Sequence, residues 1–402
     1  RGQLWSRLRR SYETLSRLKS VPVVGGSLFR IVDSLQNIPP FYPIRDMSSP
    51  TYQVRLLGRL LDSGLSAGYV KAVQSDPLPS VTSFYAPALA LDRIGYPRNY
   101  CILPDAEVSR AWVAPDPLNS KIIYLAPCGR TVKRLHSYGV PDERILLTGF
   151  PLPLELVGNA DAHILRADCA QRLHYLDPHQ RFWPLHERNV THFLGRRNCV
   201  FRGERVLTLT FAVGGAGAQV DIGIAALFSL RERLERGEVR LNLVAGVRPE
   251  VRDEFARAVR ESGVALQGDG DGDGPQPVRI VYADDKADYF AAFTELMHTT
   301  DLLWTKPSEL SFYCGLGIPI IMAPLIGAQE EFNRRWLAEI QAGIPQEDPA
   351  FTSEWLFDLL APGRLAEAAW DGFLKARMYG TYKVLEVLRT GTMERETSPL
   401  RR

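Results

Sequence analysis

The chain has 402 residues, 45% of them hydrophobic and 23% charged, and its 48 Lys+Arg against 46 Asp+Glu leave a formal net charge of +2. Such a length favours two domains with sizeable buried cores, and so even a charge balance excludes sequence-independent binding of nucleic acid as a function. The five cysteines, Cys101, Cys128, Cys169, Cys199 and Cys314, are scattered without a CxxC pair and suit free thiols in a reducing, cytoplasmic compartment better than a disulfide framework.

In chain order, residues 1 to about 75 read as helices and loops, including Tyr12–Lys19 and Gln53–Leu61. Arg7, Arg9, Arg10, Arg17 and Lys19 interleave with Leu4, Trp5, Leu8, Leu15 and Leu18. That pattern fits a basic amphipathic helix on an anionic membrane surface, at its inner face, and fits a solvent-facing helix equally well. The chain carries no secretory signal and does not begin with Met, so an upstream segment is expected to precede it.

From Ser80 to Pro153 short apolar runs alternate with helical patterns. Val81–Phe84, Tyr100–Leu103, Ile122–Leu125 and Ile145–Thr148 read as successive parallel strands. Residues 154–203 are rich in His and Arg and resemble no α/β unit. His163, His174, His179, His186 and His192, with Cys169 and Cys199, show no metal-ligand spacing, and no metal site is expected.

A second alternating series follows: Val206–Val213, Arg240–Val244, Val278–Val281, Leu302–Trp304 and Ile318–Met322. Its first strand feeds Gly214-Gly215-Ala216-Gly217-Ala218-Gln219, and a helical segment begins at Asp221. Small residues there permit a tight turn that aims backbone N–H groups and a helix dipole at one point, a cradle for phosphate. Close helix–strand packing would demand the same small residues.

Between the later strands, Gly268-Asp269-Gly270-Asp271-Gly272-Asp273-Gly274 imitates the opening of a calcium loop. Ile280 stands where the bidentate Glu should be, so a surface turn is expected. The uncharged stretch from Leu310 to Gln329 is punctuated by Gly315, Gly317, Pro319 and Pro324 and reads as α/β core rather than a membrane span. The tail from Thr352 to Leu388 is helical, with Trp355, Phe357, Trp370 and Phe373 as anchors.

The expected division is therefore an N-terminal Rossmann-like domain over residues 1–157 and a helical insert over 158–203. A second Rossmann-like domain would cover 204–350, with C-terminal helices over 351–402 packing back across the domains. The first domain lacks an evident opening strand with its own Gly-rich loop. Val21-Pro22-Val23-Val24-Gly25-Gly26 is the one candidate, and its proline suits a central strand poorly.

Two further segments carry a family resemblance. Asp301-Leu302-Leu303-Trp304-Thr305-Lys306-Pro307-Ser308-Glu309-Leu310, continuing to Leu316-Gly317-Ile318-Pro319-Ile320-Ile321, resembles the donor-site strand–loop–helix of GT-B glycosyltransferases. It is most similar to the branch of monogalactosyldiacylglycerol synthase, processive diacylglycerol glucosyltransferases and the lipid II N-acetylglucosaminyltransferase. Gly327-Ala328-Gln329-Glu330-Glu331-Phe332-Asn333 resembles that branch's GQE-x-x-N segment. In the first half, Leu103-Pro104-Asp105 with Trp112 resembles a TD-x-x-x-H-x-x-W segment, and Gly139-Val140 followed by Ile145–Pro153 resembles its closing motif. The resemblance covers about residues 80–155 and 205–340.

This resemblance implies the GT-B fold, two Rossmann-like domains facing a cleft. The second would take a nucleoside-diphosphate sugar, UDP-linked, as substrate, and the first an acceptor hydroxyl, a lipid being one candidate. The implied reaction is inverting and metal-independent, with no further cofactor.

Gly214 to Gln219 would hold the diphosphate. Tyr282 and Ala283 would meet the base, and Lys306, Ser308 and Glu309 the base and ribose. Gln329, Glu330 and Asn333 would meet the sugar, with Asp105 as catalytic acid–base group. The usual ribose-binding glutamate falls on Phe312, and Glu309, one turn earlier on the same helix face, is the expected substitute. A simpler role for Ser308 is to cap a helix, for Glu309 to complement its dipole, and for Asp105 to cap a helix over Ala106–Trp112. Ser109 stands where the family has a histidine. A UDP-sugar epimerase or hydrolase of the same fold, and a non-catalytic nucleotide-sugar binding protein, stay as alternatives.

Overall fold

The structure, a computed structural model, describes residues 38–203, 205–212, 217, 219–267 and 276–394. Leu4–Lys19, Val21–Gly26, Gly214, Gly215, Ala216, Ala218 and the Gly268–Gly274 run lie outside the described residues. The chain forms two compact units, one of residues up to Pro151 with Leu325–Trp336 and the segment from Tyr379, the other of Leu152–Pro324 and Leu337–Met378.

Among the described residues, the first unit is built on a four-stranded parallel sheet of β1 (Ser80–Thr82), β2 (Asn99–Ile102), β3 (Ile122–Ala126) and β4 (Ile145–Leu147). The strands lie in sequence order. Every connection passes through helix or loop rather than a hairpin, as parallel pairing requires. Leu89, Cys101, Leu103, Val108, Ile122, Tyr124, Leu135 and Tyr138 form the core on one side of the sheet. On the other, Tyr100 and Leu125 pack against Val384 and Val387 of the helix Gly380–Thr390. Both faces are covered, which explains why these strands read as apolar runs without alternation.

The second unit carries a six-stranded parallel sheet: β5 (Leu207–Ala212), β6 (Val239–Gly246), β7 (Val278–Tyr282), β8 (Leu302–Thr305), β9 (Ile320–Met322) and β10 (Gly343–Pro345). Its order is β10-β9-β8-β5-β6-β7. Numbered within the unit this is 3-2-1-4-5-6 read from the β7 edge, the order of a doubly wound dinucleotide-type sheet. β5 is buried at every position and lies between β6 and β8. The helix Val220–Glu235 follows β5 closely because Gly223 lets it do so: a Cβ there would lie 2.7 Å from Cδ1 of Phe211.

Two buried ionic anchors fix the second sheet. The Asp301 carboxylate, immediately before β8, takes a bidentate contact from Arg205, before β5, and accepts from the Thr208 N–H at 2.8 Å. The Arg205 guanidinium also stacks 4.1 Å over Tyr175. Arg172, fully buried, donates to the carbonyls of Thr300 (2.7 Å), Leu316 (2.8 Å) and Met297 (3.2 Å). It thereby collects carbonyls at two helix ends, where a cation is favoured. Arg172 belongs to the helix His163–Tyr175, so the His- and Arg-rich residues 158–203 are tied into the body of the second unit. His174, in the same helix, stacks on Trp183 at 4.1 Å and reaches the Cys199 carbonyl at 2.8 Å. All five cysteines are free thiols.

The stretch from Leu310 to Gln329 is a 3₁₀ helix (Glu309–Leu316), the strand β9 and the start of the helix Ala328–Glu339. No helix among the described residues is long and apolar enough to cross a membrane.

Candidate functional site

In a doubly wound sheet the loops after the first and fourth strands diverge to opposite faces, leaving a crevice at the carboxyl end where a ligand fits. Here those strands are β5 and β8. Ala212 and Thr305 are register partners at their ends, and the Thr305 hydroxyl donates to the Ala212 carbonyl at 3.2 Å. The glycine-rich segment leaves from Ala212 and the Lys306–Glu309 segment from Thr305, so two segments picked out separately in the sequence start side by side.

Gly217 has φ +69 and is tightly enclosed, since a Cβ on it would meet Cγ2 of Val251 at 3.1 Å and Cδ of Arg248 at 3.2 Å. Both the left-handed backbone and the close approach demand glycine. Gln219 also has φ +71 and donates through Nε2 to the Pro324 carbonyl at 2.7 Å. Its side chain is therefore engaged with the protein. Asp221 stands in the first turn of the following helix and already complements its dipole. An anion at this end must accordingly rely on the loop's N–H groups and on cations from neighbouring strand ends.

Arg248 is such a cation, and sequence reasoning missed it. It follows β6, its stem lies against Gly217, and its guanidinium is 3.3 Å from Glu250. The signal available was its place, two residues beyond a buried strand and directly before the helix that starts at Pro249. Lys306 supplies a second cation at the end of β8 and is half-buried.

The helix expected after Lys306 is a 3₁₀ helix, with Ser308 at its N-cap position. The Ser308 hydroxyl makes no capping bond to a backbone N–H, so the simple capping role fails. Its own N–H turns back to the Lys306 carbonyl at 2.8 Å. Glu309 is exposed, whereas Phe312 is only 3% exposed. The two do not share an environment despite their i, i+3 spacing, because the residue at 312 belongs to the core. Tyr289 and Tyr313 both have hydroxyl pKa values pushed up, Tyr289 to about 12 by burial and then the Glu309 charge, Tyr313 by burial, then Tyr289, then Glu309.

Tyr282 and Ala283 end β7. The Ala283 N–H donates to the Gly246 carbonyl at 3.0 Å, so this donor is spent inside the sheet and does not wait for a base. The half-exposed Tyr282 hydroxyl donates to Asp284 at 2.8 Å, which raises its pKa, and Arg252 lies 4.6 Å over its ring.

In the first unit, Asp105 and Asn333 are brought together across 228 residues of sequence. Asn333, fully buried, donates through Nδ2 to Asp105 Oδ1 at 2.7 Å and accepts the Ala106 N–H at 2.7 Å. Thr131 donates to the Ala106 carbonyl at 2.8 Å. Next in sequence, Glu107 is 1% exposed and held by Arg130 and by Arg134, whose Nε donates to Oε2 at 2.7 Å. The loop after β2 is thus pinned at three successive residues, and the Asp105 carboxylate is fixed in orientation. No helix runs over Ala106–Trp112, where a single 3₁₀ turn (Arg110–Trp112) forms. Asp105 consequently caps nothing there.

Glu330 is 1% exposed and accepts the Ile326 N–H at 2.7 Å. Asn333 and Glu330 therefore direct their polar atoms into the protein rather than outward to sugar hydroxyls, and the reason is helical phase: positions 330 and 333 sit on the buried face of Ala328–Glu339. Gln329 stays half-exposed. Among the described residues no group of three or more His, Cys, Asp or Glu is placed to hold a metal ion.

A family profile described as "Domain of unknown function (DUF6938)" matches residues 189–383. No curated protein matches. Among solved structures, a UDP-GlcNAc 2-epimerase from Neisseria meningitidis bound to UDP-GlcNAc is similar, with TM-score 0.50 and 11% identity over 90% of this chain and 88% of that one. The S. aureus MnaA–UDP co-structure gives TM-score 0.47 at 11% identity, covering 92% of this chain and 86% of that one. Acinetobacter baumannii MurG gives 0.46 at 15%, covering 94% and 95%. At these identities the likeness is one of fold. The chain has two parallel-sheet α/β units of the GT-B class, as the sequence motifs imply.

Proposed function

We propose that the second unit binds a nucleoside-diphosphate sugar, UDP-linked, at the carboxyl ends of β5 and β8, and that the protein transfers the sugar to an acceptor hydroxyl. The observation that carries this reading is the 3-2-1-4-5-6 strand order, which starts the glycine-rich segment and the Lys306 segment from paired residues, Ala212 and Thr305.

In this reading the loop N–H groups, Lys306 and Arg248 stabilise the diphosphate as the C1–O bond breaks and its electron pair leaves on phosphate. Preorganised donors of this kind lower a barrier by about 3–4 kcal/mol each, roughly 10²–10³ in rate. Such charge stabilisation removes the need for a metal. The acceptor oxygen attacks C1 and gives its proton to a carboxylate, the role that the sequence motifs suggest for Asp105. Glu309, exposed beside β8, is the carboxylate for the ribose hydroxyls, and Gln329 offers an amide to the sugar.

A second reading, a UDP-sugar 2-epimerase or hydrolase, draws support from the UDP-GlcNAc 2-epimerase among the similar structures. It uses the same donor site. Product analysis separates the two. Incubation with UDP-sugars in the presence and absence of a hydroxyl acceptor should give UDP with a new glycoside only when acceptor is present. A 2-epimeric sugar, or free sugar formed equally without acceptor, would replace transfer by the second reading. Absence of any binding or turnover would defeat both.

A further inference from the structure

We infer that the first unit holds a separate oxyanion site, in a cavity of about 460 Å³ at the start of the helix Tyr52–Asp62, shaped for the phosphoryl group of a ligand. The inference does not rest on the donor reading above. Its residues lie wholly within the first unit, and none of them belongs to the segments assigned to the nucleotide sugar.

The cavity is lined on one side by Ser49, Thr51 and Gln53 and on another by Ser109 and Arg110. Four observations point to an anion. Ser109, a residue only 7% exposed, sits at the N-cap position of the turn Arg110–Trp112, and its hydroxyl makes no capping bond there. Ser109 lines the cavity, where its hydroxyl is left for a ligand or water to engage. Arg110 is 4% exposed, and the hydrogen bonds of its guanidinium all go to neutral carbonyls, those of Ser48, Val113, Ala114 and Pro115, with the Tyr138 ring 6.0 Å away. Its hydrogen bonds are satisfied while its charge is not, and burial pulls its pKa down. The buried cation is therefore missing a counter-charge.

The helix Tyr52–Asp62 begins with no acidic residue in its first turn, and Thr51 at its N-cap makes no side-chain capping bond. The unfulfilled N–H groups and the positive end of the dipole remain for a ligand, as at known anion-binding helix starts. Gln53, in the first turn, adds a half-exposed amide.

Among the lining residues, Arg45 and Arg110 oppose one carboxylate, Asp46, whose Oδ1 accepts the Ser48 N–H at 2.8 Å and whose pKa that bond lowers. The lining is net positive. Donors from two hydroxyls, an amide and a helix start exceed what a planar carboxylate's two oxygens need and suit the three free oxygens of a phosphoryl group. The volume admits such a group together with part of the molecule that carries it. The same chemistry serves a free phosphate or phosphate ester and the headgroup of a phosphomonoester lipid.

The test uses the full chain and a Gly217→Asp background, which removes binding at the glycine-rich segment of the other unit. Inorganic phosphate and vesicles of phosphatidylcholine with or without phosphatidic acid are the probes. Thermal shift and ³¹P line broadening report the first, and co-sedimentation the second. Phosphate should raise the melting temperature and broaden the ³¹P line in the Gly217→Asp protein, at millimolar concentration. Gln53→Glu should abolish this at least tenfold in apparent affinity while leaving the melting temperature without phosphate unchanged or higher, because an acid in the first turn favours the helix. Ser109→Ala should weaken it severalfold.

Co-sedimentation only with phosphatidic acid, lost in Gln53→Glu, assigns the site to a lipid headgroup. Response to inorganic phosphate alone assigns it to a soluble ligand. No response to either probe, or a response unchanged by Gln53→Glu, overturns the inference.

Discussion

The two sheets are made of similar strands yet differ in where a strand has neighbours on both sides of a break in chain order. In the second unit, β5 sits inside the sheet with β6 on one side and β8 on the other, so the strand order reverses at Ala212 and Thr305, the place where sheets of this order take ligands. In the first, the described strands run β1-β2-β3-β4 without reversal, and no such place arises between them. Candidate residues of the first unit are gathered differently, by long-range side-chain bonds such as Asn333 to Asp105. One unit gathers its candidate residues by topology and the other by pinning a loop.

The largest effects should come from cutting the anchors that hold β5 beside β8. Asp301→Ala leaves Arg205 beside a buried void, and Arg172→Met leaves three carbonyls without their donor. Each should lose roughly 3–5 kcal/mol in chemical denaturation, since removing one partner strands buried polar groups. A loss below ~1 kcal/mol would show that the switch point does not depend on them.

Next is Lys306→Ala. Hydrogen bonds to a charged group are worth ~1.5–3 kcal/mol, so donor affinity should fall roughly ten- to a hundredfold in calorimetry with little change in stability. Equal affinity would detach Lys306 from the site.

Asn333→Leu tests the other kind of construction. It should cost about 1–3 kcal/mol by orphaning the Ala106 N–H, and lower kcat while donor affinity measured on the second unit's site stays the same. A parallel fall in donor affinity would mean that the two constructions are not separate.

The smallest effect expected is Glu309→Gln. An exposed carboxylate on ribose contributes under ~1.5 kcal/mol, a change of less than about tenfold in donor affinity. A loss of a hundredfold would make Glu309 the principal ribose ligand.

Local signals carried the fold well because both sheets are covered on both faces. Tyr100–Leu103 became Asn99–Ile102, and Ile122–Leu125 became Ile122–Ala126, with shifts of a residue at the ends. β10 was not legible, since Gly343–Pro345 is a three-residue strand at the sheet's edge with a proline and no apolar run.

Candidate residues are legible in the sequence where they follow directly on a strand, as Lys306 does, and illegible where their placement depends on tertiary contact. Nothing local pairs Asn333 with Asp105, and nothing local places the Arg248 stem on Gly217. The i, i+3 argument for Glu309 failed on burial, because spacing gives a helix face but not what covers it. The 3₁₀ geometry of Glu309–Leu316 and the buried Phe312 decide that instead.

The most direct test of the donor site is calorimetric titration of UDP-sugars into the wild type and the Gly217→Asp variant. Gly217 combines a left-handed backbone with contacts to Val251 and Arg248, and a carboxylate there would repel the diphosphate. The account predicts binding of at least one UDP-sugar to the wild type and its loss in Gly217→Asp, with the variant still folded by circular dichroism. Equal affinity in the two proteins would contradict it.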